Sequence, residues 1–159
     1  MTFTLSSNDL TDGGALPDAQ VYAAGNTSPH LKWSGAPEGT KSYAVTCFDP
    51  DAPTGSGFWH WTVANLPAGV TELATGASSR GMPAGAVQGR TDFGETGFGG
   101  AAPPPGHGPH RYVFTVFAVD AEKLDVTPEN SGAVFGFNLH FHTLAKASIT
   151  ATYENKGQG

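Results

Sequence analysis

Short apolar stretches separated by turn-forming residues recur along the chain. Residues 43–48 are apolar on both faces, which is typical of a strand buried on both sides. Residues 2–6 alternate and predict a short edge strand, and residues 110–120 give the clearest strand pattern. Further predicted strands are residues 31–33, 60–65, 70–73 and 147–153. The pattern indicates a mainly β protein.

One segment departs from strand patterning. Thr127, Pro128 and Glu129 form a helix-start signal: a capping residue, a proline at the first position and an acid in the first turn. Apolar residues at steps of three and four then predict a single helical face, formed by Val134, Phe137, Phe141, Leu144 and Ala145. We therefore predict one main helix near the C-terminus, over residues 133–146.

Composition supports this fold class. The 159 residues include 22 glycines and 12 prolines, which favour short strands and many turns over long helices. The hydrophobic share of 38% is enough for a core. We find no internal repeat and no boundary, so residues 1–159 are predicted to form a single domain.

Charge and apolar patterning exclude several function classes. The net charge of −6 disfavours nucleic acid and docking on anionic membranes. A lone cysteine, Cys47, allows no intramolecular disulfide and is interpreted as a small buried hydrophobe. The sequence has no apolar run of about 18 residues, so we predict no membrane span. It also has no N-terminal basic segment followed by an apolar one, as a signal peptide would, so we predict a cytoplasmic location.

Candidate chemistry lies at the ends of two predicted strands. Asp49 and Asp51 follow the first of these strands, and His60 opens the second after a glycine-containing loop. Two aspartates next to prolines usually support turns. They can also form an acid–base pair, or accept hydrogen bonds from histidine or from a ligand ammonium. Because histidines lie nearby in the sequence, we favour the role of the two aspartates as hydrogen-bond acceptors. For His60, the alternative is a core histidine whose hydrogen bonds are satisfied within the protein.

A second polar stretch begins the clearest strand. A loop rich in glycine and proline, which can turn backbone N–H groups toward an anion, precedes His110, Arg111 and Tyr112. His110 and Tyr112 share one face of that strand, and Arg111 points to the opposite face, which favours a structural role. A histidine at a strand end is expected to be little buried, so its loss should affect binding more than stability.

Metal and nucleophile chemistry have weak support. His140 and His142 would point about 200° apart on a helix. His107 and His110 form an H-x-x-H pair in a loop, but no cysteine pair or helical H-E-x-x-H motif accompanies them. No G-x-S-x-G motif or phosphate-binding Walker loop is present. We predict no metal, no cofactor and no catalytic residue.

The two polar stretches resemble the phosphatidylethanolamine-binding protein family, which includes the Raf kinase inhibitor proteins. The resemblance rests on the DPDAP block at residues 49–53, on His60, and on the Gly/Pro loop that ends in HRY at residues 110–112. The stretches FWHWTVANLP and GAAPPPGHG are similar to prokaryotic members of actinobacterial type. The resemblance implies a large central sheet packed against a smaller one, with little helix.

The resemblance also implies a pocket for phosphate-like groups. The residues that match its lining are Asp49, Asp51, His60, Gly100, Pro104, His110 and Tyr112. If the two strands lie in one sheet, we expect the backbone amides of Gly100 and Ala101 to form the pocket floor. Ala102 departs from the glycine that eukaryotic members often carry, and Thr54 from the usual small residue.

Three functions follow from these residues. The first is binding of a small anion or a phospholipid headgroup without turnover, which the pocket residues suit directly. The second is inhibition of a kinase or protease by protein–protein interaction, for which the sequence shows no partner surface. The third is weak hydrolysis, which lacks a nucleophile or a metal. We therefore predict a binding protein that is not an enzyme, and the resemblance makes a homodimer plausible.

Overall fold

Two antiparallel sheets form the framework of the protein, seen in a computed structural model that describes residues 2–157. The described residues form eight strands: β1 (Thr4–Ser6), β2 (Leu31–Ser34), β3 (Ser42–Asp49), β4 (Phe58–Pro67), β5 (Glu72–Leu73), β6 (Val87–Gln88), β7 (His110–Val119) and β8 (Thr143–Tyr153). The large sheet has the order β6-β4-β3-β7-β8 and the small sheet the order β1-β2-β5. The mainly β fold with two sheets of unequal size is confirmed.

The main core lies between the two sheets. On β3, Tyr43, Val45 and Cys47 face this core, where they meet Leu31 and Trp33 of β2. The alternate residue Ala44 faces a second apolar cluster on the other side of the large sheet. Both faces of β3 are therefore covered, as its apolar pattern predicts. Burial raises the pKa of the Cys47 thiol well above its usual range, which fits a small core residue.

The main helix, α2 (Gly132–His142), is shorter than predicted. It begins after Ser131, whereas the predicted start at Thr127 is a turn in which the Thr127 amide donates to Asn130 Oδ1. Residues 143–146 belong to β8 instead, because they pair with β7 in a ladder that runs from Val119–Thr143 to His110–Tyr153. Sheet hydrogen bonds thus override the helical spacing of those four residues.

The buried side of α2 also differs from the prediction. Phe135 and Leu139, four residues apart, are buried against the large sheet. The predicted face is exposed: 68% of Phe137 and 63% of Phe141 remain accessible, and Val134 and Leu144 are also on the surface. The error arises because the predicted apolar series continued into β8, which shifted the inferred face away from the true contact. These exposed side chains form an apolar surface, defined as Val134, Phe137, Phe141 and Leu144.

Shorter elements complete the described chain. A 3₁₀ helix spans Asp18–Gln20, and a four-residue helix, α1, spans Ala77–Arg80. The N-terminal segment covers the end of β8, where the amides of Gly13 and Leu16 donate to Thr150 and Thr152 carbonyls. Within residues 2–157, no helix combines the length and apolar character that crossing a membrane requires.

Candidate functional site

The centre of the site is a buried contact between Asp49 and His110. Asp49 ends β3 and His110 begins β7, and these strands are antiparallel neighbours, so the two ends meet. The Asp49 carboxylate accepts from His110 Nδ1 at 2.7 Å and from the Asp51 amide at 2.7 Å. Only 1% of His110 is exposed, so the prediction of a little-buried histidine is wrong. The antiparallel pairing covers the strand end.

The proton positions on His110 follow from its partners. A carboxylate only accepts hydrogen bonds, so His110 Nδ1 carries the proton that faces Asp49. Its other ring nitrogen, Nε2, lies 2.6 Å from Nδ1 of His107, which belongs to the loop before β7. Both ring nitrogens of His110 therefore have partners within the chain.

His60 is held in the neutral state with one defined tautomer. It is the third residue of β4 and is 3% exposed. Its Nδ1 lies 2.8 Å from the Gly99 carbonyl, which can only accept, so Nδ1 carries the proton and Nε2 is an acceptor. Burial lowers the pKa of His60, with a smaller opposing effect from the Gly99 carbonyl. The residue therefore offers a hydrogen-bond acceptor rather than a positive charge.

Tyr112 carries a buried hydroxyl that makes no hydrogen bond of accepted geometry in the described part of the chain, although the Asp49 carboxylate and the Ala102 backbone lie close to it. The residue lies two positions after His110 on the same strand face and is 1% exposed, and its ring packs edge-on against His60. Burial, and then the negative charge of the nearby Asp49 carboxylate, raise the pKa of the phenol, so it stays a neutral donor. A buried polar group without a hydrogen bond lowers the free energy of unfolding by about 1–3 kcal/mol.

These side chains surround a cavity of about 200 Å³. Of the predicted residues, Asp49, His60, Pro104, His110 and Tyr112 line it. The remaining walls are largely apolar and come from the turn after β3, the start of β4 and two loops: Ala52, Pro53, Thr54, Phe58, Phe93, Ala102 and Pro103. The cavity can therefore enclose a small group with a few polar atoms and exclude bulk water around it.

Asp51 lies outside the cavity lining. Its carboxylate accepts from the Arg111 amide at 2.8 Å, from Arg111 Nε at 3.0 Å and from Arg111 Nη2 at 2.8 Å. This two-pronged contact from the guanidinium lowers the pKa of Asp51 to about 2. The geometry gives Asp51 a structural role, in which it ties the turn after β3 to the first residues of β7. Arg111 is exposed and faces away from the cavity, as its place in the strand predicts.

The expected amide floor is wrong, because both amides have other partners. The Gly100 amide donates to Asn26 Oδ1 at 2.7 Å, and the Ala101 amide donates to the Gln20 carbonyl at 3.1 Å. A side chain on Gly100 would meet the Gln20 carbonyl, since an added Cβ would lie 2.3 Å from that oxygen. Gly100 and Ala101 thus fix the loop against the N-terminal segment, and their neighbour Ala102 reaches the cavity instead.

Several cavity residues carry no sequence signal of their own. Phe58 directly precedes the Trp59-His60 pair and could have been inferred from the alternation of β4. Phe93 comes from a loop in a segment of ambiguous pattern, and only the fold brings its ring within 4.7 Å of the Phe58 ring. His107 was considered with His110 as a metal pair; the structure instead pairs their two rings directly. Within residues 2–157, no group of three or more potential metal-ligating side chains comes together.

Comparison with known proteins gives consistent similarities over almost the whole chain. A sequence profile of the family described as phosphatidylethanolamine-binding protein matches residues 6–154. The UPF0098 protein YbhB of Escherichia coli is 57% identical over 156 residues, which cover 94% of this chain and 98% of the relative.

Two solved structures extend the comparison to the fold. The crystal structure of E. coli YbcL, described as a new member of the mammalian PEBP family, superposes with a TM-score of 0.94 at 52% identity and covers 96% of this chain and 98% of the other. A putative phosphatidylethanolamine-binding protein homologue of Chlamydia trachomatis has a TM-score of 0.82 at 29% identity, with 96% and 97% of the two chains covered.

Proposed function

Because the chain belongs to the phosphatidylethanolamine-binding protein family, we propose that its cavity binds a phosphate-type group, as a free anion or as a phospholipid headgroup. The observation that carries the proposal is the Tyr112 hydroxyl, which is buried at the cavity wall and makes no hydrogen bond of accepted geometry in the described chain. A ligand oxygen that accepts from this hydroxyl would remove the cost of leaving it unpaired.

The other polar atoms fit the same class of ligand. The neutral His60 offers Nε2 as an acceptor, which suits the hydroxyl of a singly protonated phosphate or the ammonium of phosphoethanolamine. His110, oriented by Asp49, supplies a second donor when its Nε2 is protonated and faces the ligand. The apolar walls strengthen each of these bonds by excluding water.

Tyr112→Phe is expected to weaken phosphoethanolamine binding by about tenfold, because one net hydrogen bond is lost. Folding stability should stay the same or rise by about 1 kcal/mol, because the variant no longer buries an unpaired hydroxyl. Calorimetric titration and urea unfolding of the same preparation measure the two effects.

Tyr43→Phe is the matched control, since Tyr43 is buried in the core between the sheets and away from the cavity. Its affinity for phosphoethanolamine should equal that of the wild type. Equal affinity for Tyr112→Phe would remove the observation on which the proposal depends. Inorganic phosphate, acetate and vesicles containing phosphatidylethanolamine, tested side by side, distinguish a free anion from a lipid headgroup.

We further propose that binding occurs without turnover. Among residues 2–157, the cavity lining includes no serine, cysteine or lysine, and its one hydroxyl-bearing aliphatic residue, Thr54, donates to the Gly57 carbonyl. Phosphatase and esterase assays beside the titrations test this point, and a turnover that disappears in a folded Tyr112→Phe protein would contradict it. Inhibition of a kinase or protease stays a prediction, as does a cytoplasmic location.

A homodimer, which the resemblance makes plausible, also stays a prediction, and the structure offers a surface for it. The apolar surface lies on α2 and on Leu144, the second residue of β8, which is an edge strand of the large sheet. In the described chain, loop residues cover this edge at Thr150 and Thr152, and the outer side between Thr143 and Ser148 has no backbone partner. Antiparallel pairing of two copies there would continue the sheet and bury Phe137 and Phe141.

Phe141→Glu is expected to shift any dimer toward monomer by at least tenfold in dissociation constant, because it places a charge in an apolar contact. Sedimentation velocity over a range of concentrations measures this shift. Ala23→Glu, which adds the same charge at an exposed position on the N-terminal segment, is the control. A wild-type protein that remains monomeric at high concentration would contradict the prediction.

A further inference from the structure

His107 contacts the ring nitrogen of His110 that does not face Asp49. Its Nδ1 lies 2.6 Å from His110 Nε2, and the two ring centroids are 4.9 Å apart. The opposite nitrogen of His110 is bound to Asp49. The donor that would serve a phosphate oxygen is therefore already engaged by another side chain of the same protein.

The two histidines share a single proton along this contact. When His110 is neutral, its Nε2 carries a lone pair, which accepts a hydrogen bond from the N–H of His107 Nδ1. When His110 is protonated, its Nε2–H donates to an unprotonated His107 Nδ1. In either state the contact is satisfied internally, so an anion gains the His110 donor only after the His107 ring moves away.

The loop that carries His107 is built so that this ring can move. His107 is exposed, whereas His110 is buried. Two glycines with positive φ, Gly106 at 72° and Gly108 at 89°, flank it, and neither has an atom within 4 Å of an added Cβ. The Gly106 amide donates to the Asn155 carbonyl at 2.8 Å and the His107 amide donates to the Pro104 carbonyl at 3.2 Å, so the loop backbone is held in place and the exposed imidazole can move by rotation about its side-chain bonds.

We propose that His107 is a displaceable cap on His110 that makes the cavity selective for anions; this inference rests on the phosphate-binding function proposed above. A neutral acceptor exchanges one ordinary hydrogen bond for another and gains little by displacing the cap. An anionic oxygen carries the charge opposite to that of protonated His110, so it binds this donor more strongly than the neutral His107 imidazole does and displaces that imidazole. The cap thus lowers the affinity for all ligands, and excludes the neutral ones.

The test is calorimetric titration of the full chain with inorganic phosphate and with the neutral trimethyl phosphate. His107→Ala should bind phosphate about three- to tenfold more tightly than the wild type, because no internal bond has to break. It should also gain measurable affinity for trimethyl phosphate. His107→Gln, whose amide can again contact His110, should return both affinities toward the wild-type values. His140→Ala, which removes an exposed histidine on α2, is the control and should change neither.

The outcomes separate the cap from the function on which it rests. Wild-type binding of phosphate with an unchanged affinity in His107→Ala overturns the cap and leaves the proposed function standing. Weaker binding in His107→Ala also overturns it, because His107 would then be a ligand-binding residue. Absence of phosphate binding in every variant overturns the proposed function and the cap together. Histidine ¹⁵N spectra of the free proteins verify that His107→Ala is folded and that its His110 Nε2 has changed partner.

Discussion

Replacing His110 by alanine is expected to weaken phosphoethanolamine binding by about ten- to a hundredfold. A hydrogen bond from a charged imidazole contributes about 1.5–3 kcal/mol. The ligand phosphate itself titrates near pH 6, so the informative quantity is the ratio of wild-type to variant affinity at each pH.

Stability must be measured alongside affinity. Asp49 and His110 are both buried, so His110→Ala leaves the carboxylate with one donor fewer and should cost about 1–3 kcal/mol of folding free energy. His142→Ala is a matched control: His142 also contacts an aspartate, Asp120, through Nδ1 at 2.8 Å, but on the surface and far along the sheet. Equal phosphoethanolamine affinities of wild type and His110→Ala at two pH values would show that His110 is not part of a binding site.

Phe135→Ala should lower the free energy of unfolding by about 3–5 kcal/mol. The side chain is fully buried between α2 and the large sheet, where it packs with Ala44, Ala64 and Leu139. The backbone of Gly89 lies so close that an added Cβ there would be 2.3 Å from the Phe135 ring. So closely packed a site has little room to relax into the space that the ring leaves. Urea unfolding at several protein concentrations measures the loss.

Phe137→Ala gives the control for this prediction, because it makes the same chemical change two residues along the same helix. With 68% of its side chain exposed, Phe137 should contribute less than about 0.5 kcal/mol in a dilute, monomeric sample. Similar losses for the two variants would mean that the helix is rotated from its position in the structure.

The fold was largely predictable from the sequence, and the exceptions have a common cause. The strands predicted at 43–48 and 110–120 were located within a residue because their apolar patterns are long and their flanking turns are strong. The helix and its face were misplaced because Leu144 and Ala145 extended the helical spacing. These residues are in a strand only because β8 pairs with β7. That pairing joins segments that are far apart in the sequence, so no local pattern predicts it.

The site was predictable in part, for a similar reason. The ends of neighbouring strands identified Asp49, His60, His110 and Tyr112, whose side chains line one cavity. The partner of Asp51, the bonds of the Gly100 and Ala101 amides, and the contribution of Phe93 depend on loops. No local pattern specifies those loop positions. The sequence showed that His107 and His110 are three residues apart, but it did not predict that their rings contact each other. In a loop, this separation does not determine the direction in which either ring points.

The contact between Asp49 and His110 joins positions 61 residues apart in the chain, and this separation has a consequence for folding. The cavity is completed only after β3, β4 and β7 have paired, since each strand supplies part of its wall. A ligand held there binds the native chain and not the unfolded one. By mass action, a concentration one hundred times the dissociation constant adds about 2.7 kcal/mol to native stability. Ligand supply would thereby set how often the chain opens to proteases, so the abundance of the protein would follow the concentration of its own ligand.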